Sequence, residues 1–231
     1  MLSDLKIRKA TIKDIDFLIQ TIIEADKSGS SCVSSCNVFC FSLEYFETIL
    51  KDILLKDYSN YEYSLSGFLI AELQGKAVGA LGSWIEEEQD IPSFMIKANE
   101  IIPKLIDEKK DAAINNLKAI KGFNIKLQKL AIQLEYAYVV EEQRRKKIFT
   151  KLIVANIKKH LARNVPFTNV QTIMFKDNFK SFNAYTKLGF VVDQEKKMSN
   201  PAILNLFPFD TKVSMVLKKE NILNLVEEYS D

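Results

Sequence analysis

The chain has 231 residues, 47% of them apolar and 27% charged. That is enough to bury a core without disulfides or metals, and too apolar for a disordered polypeptide. Its 32 basic and 30 acidic residues leave a net charge of only +2, which excludes a bulk polycation and points away from a nucleic-acid partner.

The opening Leu5-Lys6-Ile7-Arg8 alternates and predicts a short strand. Thr11 is placed to cap a helix carrying Ile15, Leu18, Ile19 and Ile22. Residues 27–40, rich in serine, read as a loop. A second amphipathic helix is expected over Ser42–Leu55. Apolar runs at Ser66–Glu72 and Lys76–Ile85, split by Leu73-Gln74-Gly75, predict a β-hairpin, with Gly79 and Gly82 marking bulges or close backbone approach. Ile96, Ile101, Leu105, Ala113, Leu117 and Ile120 predict one or two lysine-rich helices within about 92–122. A long strand follows at Lys129–Val140, then a basic helix over about Gln143–Arg163. A strand at Val170–Phe175, a helix at Asn178–Leu188, and strands at Phe190–Asp193 and Val213–Leu217 complete the chain. The order βααββ, insertion, βαβαββ describes an α/β domain with a mixed sheet.

Two segments carry chemistry. In the first, a strand ends at Val139 and four cations, Arg144, Arg145, Lys146 and Lys147, stand at the expected helix start. Cations there oppose the helix dipole unless an anion is bound, so they suggest a phosphate site, against the plainer reading of a solvated charge run. In the second, Asn178, Ser181 and Tyr185 lie on about one face of a helix that Gly189 terminates. On its own that pattern fits core packing as well as chemistry.

Together, in this order, the segments resemble the GNAT superfamily of acyl-CoA-dependent N-acyltransferases. The family's motif Val-x-x-x-x-Arg/Gln-x-x-Gly-x-Gly/Ala falls on Val139, Arg144, Lys147 and Phe149. Its motif Asn-x-x-Ala-x-x-x-Tyr-x-x-x-Gly-Phe falls on Asn178, Ser181, Tyr185, Gly189 and Phe190. An Ile-Arg-x-Ala-Thr opening at 7–11 and a glycine-spaced strand at 75–82 also fit, so the resemblance covers most of the chain outside 92–128.

The resemblance implies an α/β fold whose mixed central sheet holds a splayed pair of parallel strands flanked by helices. It implies one domain over 1–220 with a helical insertion at about 92–122, and a C-terminal tail at 221–231. It implies transfer of an acetyl group from acetyl-CoA, as co-substrate, to a primary amine. Pantetheine would add to the strand at Ala137, Tyr138 and Val139, with a backbone N–H near Val139 polarising the thioester carbonyl. Arg144, Arg145, Lys146, Lys147, Ile148 and Phe149 would hold the diphosphate, with Asn178 and Ser181 completing the cofactor set. Tyr185 would protonate the departing thiolate, and Glu135, expected on the face of Ala137 and Val139, would be the base.

Two residues depart from the family pattern. Lys147 replaces a glycine; inside a helix this is a steric rather than a torsional question. Phe149 replaces a small residue and is expected to face the sheet. These departures keep open a catalytically weak CoA-binding or interaction module, and the acyl group and acceptor are open as well.

Other candidates are weaker. Cys32, Cys36 and Cys40 make no disulfide framework, leave a free thiol and fit a reducing cytosol. Their spacing lacks a fourth ligand, so no metal is expected. The N-terminus lacks the apolar block of a signal peptide and no run of about 18 apolar residues occurs, so a soluble cytoplasmic protein is expected. His160, beside Lys158 and Lys159, suits a helix C-terminus. Glu86, Glu87, Glu88 and Asp90 read as a solvated turn or as an attractor for a cationic amine. The insertion reads as a lid over the acceptor site or as a homodimer surface.

Overall fold

Arg8 ties the first strand to the first helix. In the computed structural model, which describes residues 4–229, β1 (Leu5–Lys9) carries Arg8 so that Nη1 and Nη2 donate to the Asp14 carboxylate at 2.8 Å each and Nε donates to Glu72 at 2.6 Å. Asp14 also accepts from the N–H and hydroxyl of Thr11 at 2.8 and 2.9 Å. A 3-10 turn at Ile12–Asp14 therefore leads into α1 (Ile15–Asp26), with Thr11 at the boundary as predicted. Arg8 holds the buried Asp14 carboxyl below its ordinary pKa.

The chain continues through α2 (Ser34–Phe39), α3 (Leu43–Lys56), β2 (Phe68–Leu73) and β3 (Lys76–Ile85). The insertion follows as α4 (Ser93–Ile101) and α5 (Lys110–Ile120). Next come β4 (Ile132–Val139), α6 (Ile148–Leu161), β5 (Asn169–Phe175), α7 (Phe179–Lys187), β6 (Val191–Lys197), β7 (Thr211–Lys218) and α8 (Lys219–Glu228). The seven strands form one sheet in the order β1-β2-β3-β4-β5-β7-β6, antiparallel throughout except for the β4–β5 pair. This is the mixed sheet expected. Each face carries its own core. Leu18, Ile22, Phe46, Ile53, Leu105, Ala113 and Phe123, from α1, α3 and the insertion, pack on one side. Leu152, Ile157, Tyr185, Ile222 and Leu225, from α6, α7 and α8, pack on the other.

Several local expectations change. Residues 27–40 are not loop throughout: α2 buries Cys36, Val38 and Phe39 against the core. Its apolar residues are interleaved with serines, which masked the helical spacing. The stretch expected as a tail from 221 is largely α8, because Ile222 and Leu225, three apart, are buried on the α6 side. Residues 1–3 and 230–231 lie outside the described part. His160 lies in the last turn of α6, as expected, but it carries no positive charge to suit the helix dipole. It is 2% exposed, its Nε2 lies 2.9 Å from Ser83 Oγ, and that hydroxyl donates to Asn156 Oδ1 at 2.6 Å. Burial pushes its pKa down to about 3, so the ring is neutral. Glu86 is buried too, accepting from Trp84 Nε1 at 2.8 Å and the Ser93 N–H at 2.9 Å. Glu88 pairs with Arg163, and Asp90 with Lys129. Glu86 thus ties the end of β3 to the start of the insertion, while Glu88 and the exposed Asp90 pair with cations outside it.

Candidate active site

The parallel pair separates almost at once. β4 and β5 are matched only at Ile132↔Val170 and Gln133↔Gln171, although each strand continues for several residues. Gln171 fastens the closed end: its Oε1 accepts from Gln133 Nε2 at 2.9 Å, and its Nε2 donates to Ser214 Oγ at 2.8 Å. Beyond Gln133 the strands diverge, leaving the β5-facing side of β4 without a ladder partner.

A bulge sits in the diverging part. Tyr136 has φ +57°, and the β3 register slips from Gly82↔Glu135 to Ala80↔Tyr138. Directly opposed residues share a face, so Glu135 and Tyr138 lie on one side, while Leu134 and Val139 lie on the other. Glu135 is therefore not on the face of Val139, as simple alternation predicted; the extra residue reverses the parity. It faces the α1 side, where the Phe17 and Tyr138 rings lie 6.2 Å apart. Gly79 and Gly82 mark close approach as expected: a Cβ on Gly82 would meet the Phe68 ring at 3.0 Å and the Glu135 carbonyl at 3.1 Å.

Past β4, the helix does not begin at Gln143. A 3-10 turn at Glu141–Gln143 is followed by an exposed loop holding all four cations, and α6 starts only at Ile148. Arg145 and Lys147 have φ +63° and +60°. Replacing the motif's glycine by Lys147 is thus a torsional matter after all, because the position precedes the helix in a left-handed conformation. Turns of this kind orient successive N–H groups into a concave anion nest, and the first-turn N–H groups of α6 lie just beyond. Arg144 Nε donates to the Val139 carbonyl at 3.0 Å, with its guanidinium 6.0 Å from the Tyr138 ring centre. Lys146 donates to Gln143 Oε1 at 2.8 Å. The Lys147 carbonyl accepts the Lys151 N–H at 3.0 Å, but the side chains of Arg145 and Lys147 have no hydrogen-bond or ion-pair partner among the described residues.

Tyr185 lies on the α6 side of the sheet, only 3% exposed. The rings of Phe149 and Phe190 stand edge-on to it at 5.1 and 5.0 Å. Phe149 therefore packs on Tyr185 of α7 as well as on the sheet-side core. Burial raises the Tyr185 phenol above its ordinary pKa, and a hydrogen bond with Thr172 on β5 opposes the shift. Asn178 caps α7, accepting the Ser181 N–H at 3.4 Å. Gly189, at φ +86°, ends the helix as predicted.

On the opposite face a polar cluster surrounds Glu135. Tyr136 donates its hydroxyl to Glu62 Oε2 at 2.7 Å and lies 3.1 Å from the Tyr63 hydroxyl. Lys97, carried in by α4, places Nζ 3.2 Å from the same Glu62 oxygen and 5.1 Å from the Tyr63 ring centre. Burial pulls the Lys97 ammonium down, but Glu62, Tyr63 and Glu135 together offset this and hold it above its ordinary pKa. Glu135 is pushed up to about 8, first by burial and then by Glu62, with Lys97 opposing. Lys212 of β7 lies over the rings of Phe123, Phe175 and Phe207 at 4.6–5.4 Å; burial, then Lys97, lowers it to about 8.

No protein-family model and no curated protein matches the sequence. Solved structures do match the fold. An N-acetyltransferase from Staphylococcus aureus Mu50 superposes with a TM-score of 0.57 over 92% of this chain and 100% of its own, at 14% identity. An apo agmatine N-acetyltransferase variant gives 0.57 over 94% and 100%, at 11% identity. The ribosomal-protein-alanine N-acetyltransferase from Brucella melitensis gives 0.52 over 92% and 99%, at 17% identity. The fold is that of the GNAT N-acetyltransferases.

Within the GNAT fold, the predicted residues separate into groups. Ala137, Tyr138 and Val139 line the diverging end of β4, with the loop cations and Ile148 directly after them. Tyr185 and Phe149 are in contact on the α6 side, and Asn178 and Ser181 are engaged in capping α7. Val139 is matched to Gly79 on β3, and its carbonyl is taken by Arg144. Glu135 stands on the other face. Sequence reading missed Glu62, Tyr136, Lys97 and Lys212. An acid between two tyrosines at 61–63 was a usable signal, whereas Lys97 resembles every other lysine of the insertion. Among the described residues no group of three or more His, Cys, Asp or Glu side chains could hold a metal, and no helix is long and apolar enough to cross a membrane. The three thiols are free, and burial pushes Cys36 up to about 11.

Proposed function

We propose that the chain transfers an acetyl group from acetyl-CoA to a primary amine. The observation that carries this reading is the parting of β4 from β5 beyond Gln133, beside the bulge at Tyr136. An extended pantetheine fits such an unpaired strand side by main-chain hydrogen bonding at Ala137 to Val139. The free cations Arg145 and Lys147, the left-handed loop and the start of α6 fit a diphosphate. When bound, acetyl-CoA supplies a thioester open to attack by an amine.

The chain's own groups then divide the proton work. Below about pH 8 Glu135 is protonated. As the pH rises toward and past that value the Glu135 carboxylate is freed to take a proton from the bound ammonium. Tyr185 gives its phenolic proton to the thiolate once Phe149 moves off its ring, and the second proton shed by the nitrogen as the amide forms goes to solvent, from which the phenolate is reprotonated. The similarity to an agmatine and a ribosomal-protein-alanine N-acetyltransferase supports an amine acceptor, small or peptidyl.

The burial of Tyr185 under Phe149 favours a second reading, a CoA-binding module with little turnover. Thermal shift with acetyl-CoA, followed by a thiol-release assay over a panel of amines, separates the two. Millimolar acetyl-CoA leaving the melting temperature unmoved overturns both; a shift without thiol release from any amine leaves only the module.

A further inference from the structure

The insertion does more than cover the sheet: it delivers a primary ammonium into the polar cluster. Lys97 reaches Glu62 from α4, sets its ammonium over the Tyr63 ring, and shares its Glu62 oxygen with Tyr136, the bulge residue next to Glu135. The Lys97 side chain is 26% exposed and that of Glu62 9%, so the pair is sheltered without being sealed off. An ammonium set over an aromatic face and against a carboxylate is one way to bind an alkylamine.

We infer that Lys97 occupies the acceptor's own ammonium position, as a tethered plug, and that the acceptor is an unbranched alkyl primary amine of lysine side-chain form. The inference rests on the transferase reading for the word acceptor; the ammonium position itself does not. The helix itself need not move: α4 stays fastened by Ile101 in the core, by the Ser93 N–H on Glu86, and with the turn after it by the ion pairs Lys56–Glu100 at 2.7 Å and Lys104–Asp52 at 2.6 Å. Only the Lys97 side chain, itself 26% exposed, swings aside. An alkylammonium that displaces Lys97 meets the same carboxylate, the same ring and the Tyr136 hydroxyl. Its nitrogen then lies in the electrostatic field of Glu135, the group proposed to take its proton.

The test removes the plug and adds it back as a free molecule. Lys97→Ala leaves Glu62 without its cation, so the variant melts lower than wild type. n-Butylammonium at about ten times its Kd raises that melting point by about 3–6 °C. The same concentration of tetramethylammonium does not, nor does n-butylammonium act on wild type or on the Lys97→Ala, Glu62→Gln double variant. If Lys97→Ala fails to fold alone, recovery from urea with and without n-butylammonium makes the same comparison. Equal melting, or equal recovery, with both ammonium ions overturns the inference. With acetyl-CoA present, thiol release from n-butylamine then shows a KM at least about tenfold lower in Lys97→Ala than in wild type. Rescue without thiol release in either protein keeps the ammonium position and removes the transferase reading; thiol release without rescue does the reverse.

Discussion

Replacing Glu135 by Gln tests the electrostatics of the candidate site apart from any substrate. In the folded chain Glu135 keeps its proton to about pH 8, whereas in the unfolded chain it loses it near 4.5. Between those values the folded state binds more protons, so wild-type stability falls as pH rises, by about 1.4 kcal/mol per pH unit, and levels off above pH 8. Across the whole window that amounts to about 5 kcal/mol at most, the cost of ionising a carboxyl out of water beside Glu62. Glu135→Gln carries a neutral amide of the same shape and escapes the fall. Urea denaturation of both proteins from pH 5 to 9 reads the difference directly, because the other carboxylates cancel. The variant should gain on wild type steadily to pH 8 and hold its lead beyond it. Parallel stability curves over that range would refute a proton-retaining Glu135 and with it the proposed base. In the same variant, thiol release should drop by about 10²-fold or more and lose its rising limb near pH 8.

Tyr185→Phe should lower turnover at least about tenfold in the thiol-release assay while leaving the acetyl-CoA Kd within twofold, since only the proton donor is lost. Lys147→Gly relieves a left-handed lysine, so urea denaturation should give about 0.5–1 kcal/mol more stability; calorimetry should give weaker acetyl-CoA binding, since a free cation is gone. Lys212→Met should be the more stable protein at pH 7 by about 1–3 kcal/mol. That lead should shrink as pH rises, because folded Lys212 sheds its proton near 8 and the unfolded chain only near 10.5.

Much of the scaffold was legible because it is written in short-range patterns. The alternation at β1, the Leu73-Gln74-Gly75 turn and the Asn178-to-Gly189 helix with its left-handed stop are all local, and all occur where expected. What stayed hidden depends on conformation or on distance. A one-residue bulge at Tyr136 leaves no mark in composition, yet it decides which face Glu135 occupies. A run of four cations does not say whether a helix has begun, so Lys147 was read as helical when it precedes the helix at φ +60°. A glycine replaced by a bulky residue is informative mainly through the torsion it must adopt. The Glu62–Lys97 pair joins residues 35 apart across the inserted helix, and no local spacing could foretell it.

On the proposed reading, the bulge is what lets one strand serve two ligands. Without it, Glu135 and Val139 would share a face, and the base would look toward α6, where Tyr185 and Phe149 are packed. The slipped register turns Glu135 to the α1 side, beside Glu62 and Lys97, while the unpaired side of β4 still points into the gap toward β5. The amine and the acyl carrier therefore approach the same few residues from different directions, and neither needs to cross the sheet. Deleting Tyr136 heals the ladder with Glu135 still opposite Gly82 and Tyr138 opposite Ala80, so the carboxylate keeps the α1 side while the bulge and the Tyr136 hydroxyl on Glu62 are lost. In urea denaturation that variant should keep the fall of stability toward pH 8 that Glu135 causes; loss of that fall would sink the division of faces.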